Sequence, residues 1–167
     1  MNEITIVDLA NEQEYLKEVS EWIWKEWSKE NGAKLEDVIY RTRHSINKND
    51  IPKMFIAKCN NEVIGVVSLW VNDLKARQDL FPWMATLYVR EDYRNKGVGK
   101  KLQQVSIEYA KQKNYNYLYL ITEHNNYYEN TGWEYIEDAP LDNGKYEKIY
   151  RYDLKRRFKN TWINKLI

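Results

Sequence analysis

The sequence predicts an α+β (mixed α/β) protein, with one mixed, mostly antiparallel sheet of about six or seven strands and helices packed against it. Three observations carry this expectation. Short β-rich apolar runs recur from the first residues to the last quarter of the 167-residue chain. Strands alternate with helices only in the second half, so the sheet is not a regular parallel one. The longer helical stretches each carry a single apolar stripe, as helices lying on a sheet do. Three prolines and six glycines, with no linker-like tract and no repeat, leave residues 1–155 as one domain followed by a basic tail, 156–167.

Ile4 to Val7 alternates as a short strand. Residues 12–31 read as a helix, because Leu16, Val19, Ile23 and Trp27 share a stripe with Trp22 beside it, and Gly32 suits the stop. Residues 35–47 read as a second helix. Lys53–Lys58 and Val63–Val71 form a hairpin around Asn60-Asn61. Trp83–Val89 is apolar enough to be a buried central strand. Gly97–Lys111 is a helix with Val98, Leu102, Val105 and Ala110 toward the core. Tyr117–Thr122 is a strand, Asn125–Asn130 a short helix stopped near Gly132, and Trp133–Ile136 and Tyr146–Leu154 the last strands.

Composition narrows the functions. At 43% hydrophobic and 31% charged the chain is ordinary globular material rather than disordered. A net charge of +1 gives no electrostatic footprint for nucleic acid or a membrane surface. No run approaches a spanning helix, and the acidic start Met1-Asn2-Glu3-Ile4 argues against a secretory signal. Cys59 is the lone cysteine, which excludes an internal disulfide and fits a reducing, cytoplasmic setting. With His44 and His124 the only histidines, a Cys/His zinc site lacks ligands. Residues 1–30 carry eight acids against three lysines, and residues 143–167 eight bases against two acids. Solvated faces explain both; a docking arm at Lys155-Arg156-Arg157-Phe158-Lys159 is the alternative.

The chemistry concentrates between Leu87 and Leu102. A buried strand enters a polar loop, and Gly97 and Gly99 open a helix. Glycine removes the Cβ atoms that keep a ligand from the backbone, and the first amides of a helix lack partners and carry a positive dipole. Arg94, Asn95, Lys96, Lys100 and Lys101 surround the turn, so a pyrophosphate is the natural guest. A Walker loop fails because Arg94 and Lys101 stand where Gly and Ser or Thr belong. The dinucleotide fingerprint fails because its third glycine is Leu102.

Arg94-x-x-Gly97-x-Gly99 resembles instead the coenzyme A pyrophosphate loop of the GNAT N-acetyltransferase superfamily. Asn126-Tyr127-Tyr128-Glu129-Asn130-Thr131-Gly132-Trp133 is similar to the aromatic-Tyr-Glu-Lys-x-Gly-Phe segment of that family, with Asn130 for Lys and Trp133 for Phe. The resemblance is strong over residues 82–136, moderate over 53–154, architectural over 1–50 and absent over 156–167. It implies a splayed strand pair forming a cleft for acetyl-CoA, which acts as co-substrate. It places Leu87, Tyr88 and Val89 along the pantetheine arm and Arg94, Asn95, Lys96, Gly97, Val98, Gly99 and Lys100 around the pyrophosphate. Asn125 either bonds the arm or caps the short helix. Tyr128 matches the general-acid tyrosine that protonates the leaving thiolate, and Tyr127 is read as core. Where many members carry a carboxylate, Trp83-Met84-Ala85-Thr86-Leu87 has none, so the base is open, with Glu123 first and His124 second.

Transfer is expected to be direct, since Cys59 reads as a buried apolar residue. The acceptor is a small cationic amine by the acidity of the first helix, with Trp24 and Trp83 as candidate walls; packing of Trp24 on the second helix is equally open. A peptide acceptor, a longer acyl donor and a coenzyme A-binding module without turnover are the alternatives. No nucleic-acid, membrane or metal partner is expected, and the chain is read as a monomer or homodimer.

Overall fold

The computed structural model describes residues 3–156. Seven strands form one sheet in the order β1-β2-β3-β4-β5-β7-β6. They are β1 (Ile4–Asp8), β2 (Lys53–Cys59), β3 (Glu62–Trp70), β4 (Trp83–Val89), β5 (Tyr117–Thr122), β6 (Glu134–Pro140) and β7 (Tyr146–Asp153). Neighbours are antiparallel except β4 and β5, which run parallel. The mixed, mostly antiparallel sheet anticipated from the sequence is the one that forms.

Side chains alternate across the sheet, and two helical layers cover its faces. On one face α3 (Val98–Gln112) sets Leu102, Ile107 and Ala110 into a core with Phe55, Ala57, Leu69, Leu118 and Leu120. Cys59 is buried in the same cluster, as expected. On the other face α1 (Leu16–Ile23) and α2 (Leu35–Thr42) bring Val19, Ile23 and Val38 against Met54, Ile56 and Val66. The segment between β3 and β4 covers the rest of that face, where Leu74 and Leu80 pack with Trp83, Ala139 and Ile149.

Two helices are shorter than their patterns suggest. The run expected as one helix over 12–31 is a 3-10 turn at Gln13–Tyr15, then α1, then a π turn at Trp24–Ser28 in which the Lys29 amide donates to the Trp24 carbonyl at 2.7 Å. The extra residue in that turn shifts the helical phase. Trp27 leaves the Leu16–Val19–Ile23 stripe and is 43% exposed, while Trp24 turns inward against the α1–α2 core. Past α2, Arg43–Ser45 tightens into a 3-10 turn. The short helix expected at 125–130 does not form: Asn126 takes a left-handed backbone (φ 57°), and only Glu129–Thr131 makes a 3-10 turn. The tail beyond Arg156 lies outside the described residues.

Candidate active site

β4 and β5 touch at one end and then part. Trp83 opposite Tyr119 is their one register pair, with the Tyr119 amide donating to the Pro82 carbonyl at 3.0 Å. On its other edge β4 follows β3 through Met84 and Ala85, then slips register, so Thr86 and Leu87 have no ladder partner on either side. Thr86 sits at φ 50°, a conformation that β-branched residues rarely adopt, and its hydroxyl lies 2.6 Å from that of Ser68. Burial along β4 changes at this point from buried to part-buried. The strained bulge and the parting thus coincide at mid-strand. The next side chains alternate: Leu87 and Val89 join the α3 side, and Tyr88 packs its ring 5.4 Å from Trp22 on the α1 side.

At the mouth of this parting lies the glycine turn. Gly97 caps α3 at φ 80°, and the first helical bond runs from the Lys101 amide to the Gly97 carbonyl at 3.1 Å. The Val98, Gly99 and Lys100 amides precede it and have no acceptor within the helix. The Val98 side chain is buried in the core, so that residue offers only its backbone to the turn. A Cβ on Gly99 would stand 3.2 Å from the Tyr127 hydroxyl, which marks the space above the helix end as one a side chain would fill. Arg94 donates from Nε to the Val89 carbonyl at 3.0 Å and lies over the Tyr88 ring, beside the turn. Lys96 donates to the Asp92 carbonyl at 2.8 Å. Asn95 is exposed at φ 60°, and Lys100 points outward from the first turn of the helix.

A sequence profile of the acetyltransferase (GNAT) family matches residues 16–133. The chain belongs to the GNAT acetyltransferase family. An acetyltransferase of the GNAT family from Staphylococcus aureus Mu50 has the same fold, with a TM-score of 0.64 at 23% identity over 92% of this chain and 100% of that one. An aminoglycoside 6′-N-acetyltransferase complexed with coenzyme A gives a TM-score of 0.71 at 14% identity, covering 92% of this chain and 99% of that one. The NatC complex bound to Gag peptide and CoA gives 0.67 at 17%, covering 90% and 98%. These identities establish a common fold. No curated protein sequence matches the chain.

The paired tyrosines of this GNAT chain exchange the burial that the sequence suggests. Tyr127, expected in the core, is 46% exposed and reaches over the glycine turn, because the left-handed Asn126 turns the chain before it. Tyr128 is the buried one, at 8%, with its ring among those of Tyr127, Trp133 and Tyr150. Its hydroxyl has no hydrogen-bond partner among the described residues, and burial pushes its pKa well above the usual phenol value. The neighbouring Glu129 carboxylate accepts from the Tyr150 hydroxyl at 2.6 Å and does not compete for Tyr128.

Carboxylates gather on the other side of the parting. Glu123 is exposed at the exit of β5. Thr122 lies opposite Lys148 in the β5–β7 ladder, which sets Glu123 beside Glu147. Burial raises the Glu147 pKa, Glu123 adds repulsion, and His124 partly offsets it. The His124 amide donates to the Thr122 hydroxyl at 3.1 Å, the bond of a residue that fixes a strand exit. Asn125 is exposed in the same loop.

For the two candidate walls the structure shows packing, which for Trp24 is the alternative the sequence left equally open. Trp83 is fully buried, and its indole N–H donates to the Leu80 carbonyl at 2.7 Å, so it belongs to the core under the β3–β4 segment rather than to a cleft surface. Trp24 donates to the Ala33 carbonyl at 2.7 Å and carries Lys29 over its ring, which makes it the strut of the α1–α2 loop. Asp73, between β3 and β4, lines an open cleft with Leu74 and Leu141 near Glu147; the sequence marks Tyr127 only as core and neither of these two carboxylates as a site residue. Tyr127 was hidden by an unformed helix; the two carboxylates stand 74 residues apart and meet only through the sheet.

Proposed function

We propose that this protein transfers the acetyl group of acetyl-CoA directly to a primary amine, and that the acceptor is a small cationic molecule. One observation carries the reading: β4 leaves β5 beside a helix N-terminus where Gly99 bears no side chain and only the exposed Tyr127 hydroxyl reaches over the turn. The backbone there suits a coenzyme A chain on both counts. Leu87 offers main-chain groups outside any ladder for an amide-containing arm, and three helix amides with Arg94 nearby suit a pyrophosphate. A thioester is already activated, so the protein's task is to position the amine, polarise the carbonyl and handle two protons.

Tyr128 is the proton donor in this reading. A phenol is protonated across the working range, so the donor is loaded when the thiolate departs; burial makes Tyr128 a weaker acid than a free phenol, and the Tyr128→Phe variant tests whether it donates. Glu123 is the carboxylate at the mouth of the parting that takes the proton of the incoming amine, directly or through water. An alkyl amine has a pKa of about 10 and arrives as an ammonium at neutral pH. The acidic α1 and the Glu123–Glu147 pair favour such a cation. The lone, buried Cys59 fits a cytoplasmic setting and leaves no thiol to carry the acetyl group.

The experiment is a thiol-release assay with acetyl-CoA against cationic, neutral and acidic small amines and short peptides. Release that depends on a cationic amine is expected. Reaction with peptides alone would move the acceptor class, and coenzyme A binding without release for any amine would leave a binding module.

A further inference from the structure

The β3–β4 segment, the α1–α2 loop and the β6–β7 loop border an open cleft of about 470 Å³. Leu74 and Leu141 give it apolar walls, Asn31 and Asn143 a polar rim, and Asp73 a carboxylate. Asp73 makes no hydrogen bond or ion pair among the described residues, although cations stand close. Arg41 of α2 is stacked over the Trp70 ring at 5.1 Å, and Lys75 is paired with Asp142 across the cleft. Glu147 of β7 repels the Asp73 carboxylate, and the same Glu147 lies beside Glu123 at the exit of β5. A negative group with no partner thus ends a line of carboxylates that leads to the parting of β4 and β5.

We infer that Asp73 is the specificity-determining anchor of the acceptor: it receives one ammonium group of a small di- or polyamine whose second amine reaches Glu123. The inference rests on the proposed amine acetylation. The apolar walls suit a methylene chain between the two nitrogens, and a monoamine has no group for the anchor. Burial raises the Asp73 pKa to about 7, with Arg41 offsetting and Glu147 adding to the shift. Anchoring therefore weakens as pH falls through 7, when the carboxyl takes a proton.

The test compares wild type with Asp73→Asn, using a linear diaminoalkane and the monoamine of the same length. The variant should raise KM for the diamine about 10- to 100-fold, the loss expected for one charge-assisted hydrogen bond. Its KM for acetyl-CoA and its kcat/KM for the monoamine should stay within about twofold. Below pH 7 the wild-type diamine KM should climb while that of the variant stays flat. Calorimetry of the diamine against coenzyme A-saturated protein reads the same anchor without turnover. Equal diamine affinity or KM in the two proteins overturns the inference. Monoamine or peptide acetylation with no preference for the diamine also overturns it while leaving acetyl transfer intact. An absence of amine-dependent turnover, with diamine binding still dependent on Asp73, overturns only the proposed reaction.

Discussion

At the scale of single residues, three positions separate chemistry from packing. Gly99 is the first. Aspartate there would meet the movable end of Tyr127, so the variant should fold, but it sets a negative side chain in the proposed pyrophosphate site. Coenzyme A affinity, measured by calorimetry, should fall by at least about 1–3 kcal/mol. Unchanged affinity in a folded variant would remove the pyrophosphate assignment. Tyr128 is the second. Tyr128→Phe keeps the ring packed against Trp133 and Tyr150 and removes a hydroxyl without a described partner. Stability should hardly change, while turnover should drop by roughly 10²-fold or more in single-turnover kinetics. The third is Asp73. Its folded pKa lies above the unfolded value of 3.8, so the folded state holds the proton more tightly. Stability then declines as pH rises from about 4 to 7, and the full penalty is present above 7. Asp73→Asn should raise Tm at pH 8, and the gain should vanish near pH 4. The glycines and Tyr128 were legible in the sequence because they form local motifs with fixed spacing. Asp73 was not, because its meaning comes from Glu147 and Arg41, which only the folded chain brings near it.

At the scale of elements, α3 and most strands follow their patterns closely, β6 runs four residues past its expected end at Ile136, and the helical first third departs most. Apolar alternation is a local signal and survives folding. The π turn after α1 begins at Trp24, whose indole reaches the Ala33 carbonyl across the loop. No periodicity in residues 12–31 contains that contact, so the pattern read as one helix, and Trp27 was placed on a stripe it leaves. Trp24→Phe should leave the Ala33 carbonyl without its donor. A loss of about 1–2 kcal/mol in denaturant unfolding is expected. If the variant matches wild type in stability, the π turn is held by the backbone alone. The splayed pair β4–β5 has a similar origin. Its strands were visible from composition, whereas the parting depends on the bulge at Thr86 and the Ser68 hydroxyl beneath it.

At the scale of the whole molecule, the sheet keeps two kinds of chemistry on opposite sides of one parting. In the proposed reading the α3 side supplies amides, glycines and cations for the pyrophosphate, and Glu123, Glu147 and Asp73 serve a cationic acceptor. A single-turnover experiment with acyl-labelled acetyl-CoA tests direct transfer between the two sides. With enzyme in excess and a cationic amine present, mass spectrometry should find the label on the amine and none on the protein. Label appearing first on the protein, or remaining on coenzyme A in the presence of every amine tried, would contradict the account.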